Sequence, residues 1–73
     1  MWIEKSDSSE TINLDSVSKI IVEDGLTVIA FVHNNGSKSY FRFRTGDDAV
    51  YCYSRIVFAL ENGDAFLNVD EED

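Results

Sequence analysis

The dipeptide Asn35-Gly36, set between "LTVIAFVH" (26–33) and "KSYFRFR" (38–44), limits the possible folds of this chain more than any other feature. Asn and Gly tolerate the positive φ angles of a two-residue turn, and the flanking runs are rich in β-branched and aromatic residues, so the stretch reads as a β-hairpin. Asp24-Gly25 repeats the turn signal and brings "VSKIIVE" (17–23) into the same sheet. "TINL" (11–14) and, as an edge strand, "MWIE" (1–4) extend it. The expected product is an antiparallel β-meander of about four to five strands.

A helix follows. Thr45 is a suitable N-cap with Asp48 three residues on, and Asp47 and Asp48 lie at the positive end of the helix dipole. Gly63 suits the C-terminal cap, which predicts a helix from 46 to 62. "AFLNV" (65–69) then reads as a short strand. The fold class is α+β: a meander packed on one α-helix, in a single domain over 1–73, with a polar loop at 5–10 and a frayed acidic tail at 70–73. At ~100° per residue, Ala49, Val50, Tyr53, Ile56, Val57 and Leu60 form one stripe for the core. Tyr51 and Phe58 fall on the far side with Arg55 between them.

A two-residue loop at Asn35-Gly36 sets the cross-strand pairs. Ala30 then faces Phe41 and Val28 faces Phe43, an apolar surface for the helix. The opposite face pairs Phe31 with Tyr40, Ile29 with Arg42, Thr27 with Arg44 and His33 with Lys38. A slip of one residue would exchange the two faces, so the choice is all or nothing. In this register the second face is apolar and aromatic as well as cationic, and one helix covers one side only. Either "MWIE" or "AFLNV" folds over one of these surfaces within the chain, or Ile29, Phe31, Tyr40, Arg42 and Arg44, with Tyr51, Arg55 and Phe58 of the helix, are the candidate interface residues.

Fourteen acidic residues against six basic ones give a net charge of −8, which disfavours non-specific binding to nucleic acid or anionic membrane. No apolar run reaches signal-peptide or membrane-span length. Cys52 is the only cysteine, so no disulfide forms within one chain, and a reducing compartment such as the cytoplasm is expected. The same scarcity limits chemistry. Cys52 reads as a small core residue beside the buried stripe, and His33 as a solvated strand end. No catalytic constellation, metal site or cofactor loop is expected, because ligands, nucleophiles and phosphate-binding glycines are not grouped as those chemistries require.

The segments "TINLDSV", "VIAFVHNNGSKSYFRF" and "DDAVYCYSRI" resemble those of small uncharacterised bacterial and phage proteins, over residues 11–62. Ile12, Asn13, Leu14, Asp15 and Val17 carry most of the likeness. It implies a β-meander-plus-helix fold, somewhat pleckstrin-homology-like, and no activity; "AFLNV" and the acidic tail depart from the pattern. The expected function is a non-enzymatic acidic protein-binding module that forms a homodimer through the second sheet face or an edge strand. The alternative is a phage-type inhibitor or adaptor that engages a basic nucleic-acid-handling protein by phosphate mimicry. Single-stranded nucleic-acid binding through Tyr40, Arg42 and Arg44 is a minor one.

Overall fold

In the computed structural model, residues 1–5, 11–23, 25 and 27–69 are described. Six strands and one helix follow each other as β1 (Trp2–Glu4), β2 (Thr11–Asn13), a 3₁₀ turn (Leu14–Ser16), β3 (Val17–Glu23), β4 (Val28–His33), β5 (Lys38–Arg42), α1 (Gly46–Asn62) and β6 (Phe66–Asn68). The expected α+β class holds, with the helix at its predicted bounds and a strand after it. The strands divide into two small sheets, however. One is the antiparallel meander β3-β4-β5, and the other has the order β2-β1-β6. "MWIE" is thus no edge strand but the centre of the second sheet, antiparallel to β2 and parallel to β6. Trp2 N–H donates to the Ala65 carbonyl and Val69 N–H to that of Glu4, so both ends of the parallel pair are tied.

The largest departure from expectation is the register of the β4–β5 hairpin. Its loop has three residues, Asn34–Gly36: the Gly36 N–H reaches the His33 carbonyl at 2.9 Å, and the His33 N–H reaches that of Ser37 at 2.8 Å. Gly36 takes φ 91°, the left-handed residue that completes a three-residue hairpin. Asn35 stabilises the loop through its side-chain oxygen, which accepts from both the backbone N–H and the hydroxyl of Ser37. One extra loop residue slips every pair by one, so Ile29 faces Phe41, Ala30 faces Tyr40 and Phe31 faces Ser39.

This slip gathers the bulkiest side chains of both strands on one face. Phe31 and Phe41 meet edge-to-face with centroids 5.1 Å apart, and Ile29 and Phe43 join the same core cluster. Each large apolar side chain buried gains roughly 1.5–3 kcal/mol. Setting Ile29 and Phe31 inward instead of Val28 and Ala30 therefore favours the observed register. Ile3 and Ile12 of the second sheet, Val69 just after β6, and Ala49, Cys52 and Ile56 of α1 close the core.

The outer face of the meander consists of Val28, Ala30 and Val32 on the central strand. Lys38, Tyr40 and Arg42 flank it on β5, and Lys19, Ile21 and Glu23 on β3. Ala30 and Val28 are buried all the same, because small residues on a middle strand are hidden by the long side chains on either side. The outer face thus keeps Tyr40 and smaller apolar side chains but loses Ile29 and Phe31, which the expected two-residue loop sets on it.

Helix α1 begins as its sequence dictates. The Thr45 hydroxyl accepts from the Asp48 N–H at 3.1 Å, and Gly63 ends the helix with φ 74° while its N–H returns to the last turn. Thr45→Ala should cost about 1 kcal/mol. A thermal melt should show a midpoint lowered by roughly 4–8 °C. Around its axis the helix is turned by roughly 70° from the predicted stripe, at ~100° per residue. Ala49, Cys52, Ile56 and Ala59 are buried, whereas Val50, Val57 and Leu60 remain 47%, 37% and 46% exposed. Three of the four buried residues are small, which lets the helix lie close against the meander at β3 and β4.

Candidate functional site

The sequence-derived interface residues separate into three places. Ile29 and Phe31 are 0% exposed, central to the core, and cannot meet a partner. Tyr40, Arg42 and Arg44 stand at the surface on and just after β5, with the Arg42 guanidinium 5.9 Å from the Tyr40 ring centroid. Tyr51 and Phe58 are exposed on the outer side of α1, and the half-buried Arg55 lies 5.9 Å over the Tyr51 ring. In both cases the arginine is stacked on a tyrosine of its own element, two residues away on the strand and four on the helix.

The site that the sequence reading missed lies at β3. This strand ends its sheet, so among the described residues its outer edge has no paired strand. Its inward residues Val17, Ile20 and Val22 are only partly buried, unlike their neighbours on β4. Beside the edge runs a groove of about 370 Å³ between β3 and α1, lined by Leu14, Val17 and Ile20 with the polar Ser18 and Lys19, and by Tyr53, Val57 and Leu60 of the helix. The rotation of the helix creates it, by leaving Val57 and Leu60 next to the strand and not under it. An open strand edge beside an apolar helix flank is the geometry that accepts an added strand.

The sequence at this edge is self-complementary. Lys19-Ile20-Ile21-Val22-Glu23 has a cation at one end, an anion at the other and three apolar residues between. Laid antiparallel on a second copy about Ile21, it sets Lys19 opposite Glu23 of the other chain, Ile20 opposite Val22 and Ile21 opposite itself. A register shift between Val17 and Lys19 bends the strand just before this segment. It confines straight pairing to five residues and guards against open-ended stacking. The signal was visible in "KIIVE", but only the topology reveals that the strand lies at an edge.

Edge strand β5 behaves oppositely. Antiparallel self-pairing about Tyr40 would set Lys38 against Arg42 of the second copy, two like charges. The second sheet exposes Trp2 and Phe66 side by side on its outer face, with Glu4 and Asn68 as the next pair on the same face.

His33, expected to be solvated, is partly buried and joins three elements. Its Nε2 lies 2.8 Å from the Ser39 hydroxyl and its Nδ1 3.3 Å from that of Ser16. The Ser16 hydroxyl also donates to the Asn13 carbonyl, so the imidazole is linked through it to the 3₁₀ turn. A serine hydrogen-bonded to an imidazole resembles a nucleophile–base pair, but the other ring nitrogen meets Ser16 and, among the described residues, no carboxylate. Ser39 is 5% exposed. The nearby N–H groups of Asn34, Gly36 and Ser37 are committed to Ser16, His33 and Asn35, leaving none of these three to stabilise an oxyanion. The arrangement pins the 3₁₀ turn to the hairpin.

Cys52 is buried and its thiol is pushed up to about 12, chiefly by burial, against smaller downward pulls from Arg55 and Lys5. Lys5, placed in a polar loop by the sequence reading, is itself 2% exposed, with its ammonium 5.1 Å from the Phe43 ring centroid. The rest of that loop and the acidic tail lie outside the described residues. Alkylation of Cys52 by iodoacetamide should stay slow from about pH 7 to 10 and climb about tenfold per pH unit without reaching a plateau, where a free thiol near 8.5 would be far faster and level off by about pH 10. Denaturant should release it. No described group of His, Cys, Asp and Glu could hold a metal ion, and no described helix is long and apolar enough to cross a membrane. No protein-family model, curated protein or solved structure matches the chain.

Proposed function

We propose that this protein is a non-enzymatic protein-binding module that self-associates through the β3 edge, joining two three-stranded sheets into one of six strands. The observation that carries this reading is the charge-antisymmetric segment Lys19–Glu23 on an open edge beside a groove lined largely by apolar residues. A dimer of this form would turn the Val57 and Leu60 flanks of both helices toward the junction and cover the half-exposed side of β3. Cross-strand pairs of opposite charge contribute roughly 0.2–1 kcal/mol each, and the apolar residues of the groove supply the remainder. A buried thiol that burial keeps protonated suits the cytoplasm, where we place the protein.

Phosphate mimicry draws no comparable support. The described carboxylates sit on β1, the 3₁₀ turn, β3, both ends of α1 and the segment after it, so no single element presents a spaced row. Sedimentation equilibrium at micromolar concentration tests the proposal: a dimer is expected, and a strict monomer would end it.

A further inference from the structure

We propose that the β5 edge is a receptor for an extended acidic peptide, which adds to the meander as a further strand. The proposal concerns the opposite edge of the sheet from β3 and does not depend on dimerisation.

Three observations lead to it. First, among the described residues β5 ends its sheet, and it pairs with β4 in unbroken register from Val28–Arg42 to Val32–Lys38, without the bulge that bends β3. Its outer amide and carbonyl groups therefore form a regular row, and a peptide backbone is the ligand that satisfies such a row. Second, Lys38, Tyr40 and Arg42 alternate along the outer face and all are exposed. Third, the protein has fourteen acidic residues for six basic ones, yet no described carboxylate lies within ion-pair distance of Lys38 or Arg42. Arg42 is stacked on Tyr40, which holds its guanidinium over the outer face, where no described carboxylate engages its N–H groups.

The charge pattern selects the occupant. A second β5 is rejected, since Lys38 would meet Arg42. The β3 segment matches at one end only, where Glu23 finds a cation while Lys19 meets another. A strand with acids at two outer positions four residues apart matches both ends, with small or β-branched residues at the inner positions continuing the rows of Ser39 and Phe41. Long-range repulsion from the net charge of −8 is screened beyond ~8 Å at physiological salt. Direct cross-strand pairs act well inside that distance. A single-stranded nucleic acid could also use the tyrosine and the two cations, but it would leave the strand's hydrogen-bonding row unpaired.

Fluorescence anisotropy with a labelled peptide containing Glu-Val-Thr-Val-Glu tests this in buffer of about 0.15 M ionic strength. Saturable binding is expected. It should weaken by about tenfold or more in the double variant Lys38→Glu, Arg42→Glu, whose fold is checked by circular dichroism. The same peptide with N-methyl groups on alternate amides, on the edge facing β5, should lose binding equally, because it keeps its charges and cannot complete the ladder. No binding of the parent peptide, undiminished binding of the methylated one, or tighter binding of an oligo-dT of matching length would each overturn the proposal.

Discussion

Lys19→Glu and Glu23→Lys should each weaken self-association when alone, and should form a heterodimer when mixed. In either variant the antiparallel pairing about Ile21 sets like charges against each other at both ends of the segment. Reversing two cross-strand pairs, each worth roughly 0.2–1 kcal/mol in either direction, amounts to about 2–3 kcal/mol at the upper part of that range. The dimer dissociation constant should rise roughly 30- to 100-fold. In the mixture the acid at position 19 of one chain meets the lysine at position 23 of the other, and Glu23 of the first meets Lys19 of the second. Both ends are again complementary.

The experiment also separates pairing from bulk charge. Glu23→Lys makes an acidic protein less acidic, so if net repulsion governed association that variant would dimerise better than the parent. Native mass spectrometry or light scattering of the separate and mixed variants measures all three species. A parent dimer whose two variants fail to combine would show that the contact lies elsewhere. Both positions lie outside the core, so the fold should survive each change.

Phe31→Ser should unfold most of the protein, whereas Tyr40→Ser should hardly disturb it. Phe31 is fully buried against Phe41, and truncating such a ring costs roughly 3–5 kcal/mol, with more for a hydroxyl left without a partner. At ~0.05–0.15 kcal/mol per residue, a domain of this length has on the order of 4–10 kcal/mol to lose. Where the variant still folds, its melting midpoint should fall by roughly 20–30 °C. Tyr40 lies on the outer face beside Arg42, and its loss should remain within about 1 kcal/mol. The contrast tests the hairpin register directly. A two-residue loop would set both rings on the same side and make both substitutions mild. Far-UV circular dichroism during heating distinguishes the cases.

The parts of the fold that rest on local chemistry were legible in the sequence. Thr45 and Gly63 set the helix bounds because capping involves neighbours within a few residues. The positive φ of Gly36 was equally local. The loop around that glycine was not, because two- and three-residue hairpins share the Asn-Gly signal, and the choice between them rests on which face the rest of the molecule covers. Here sheet β2-β1-β6 and α1 reward the face with Ile29, Phe31, Phe41 and Phe43. Reading Asn35-Gly36 as the whole of a two-residue loop shifted every pair by one, and so set Val28 and Ala30 inward.

The rotation of α1 has a similar origin. Counted alone, its apolar residues favour the Val50–Val57 side, but lying close against the meander favours the small side chains of Cys52 and Ala59. Of the candidate site, Tyr40, Arg42, Tyr51 and Phe58 were correctly set at the surface. Lys19 and Glu23 were overlooked because their meaning depends on β3 being an edge, which is a property of the assembled sheet.

The parallel pairing of β1 with β6 bears on how a nascent chain acquires its structure. The meander is built from hairpins and can form as soon as its own residues leave the ribosome, whereas β1 and β2 emerge early as a two-stranded ribbon, marginal in water by itself. They must wait through the synthesis of more than fifty further residues for the strand that completes their sheet. During that interval Ile3 and Ile12 have half of their eventual surroundings, which makes the early ribbon the segment most in need of a chaperone's attention.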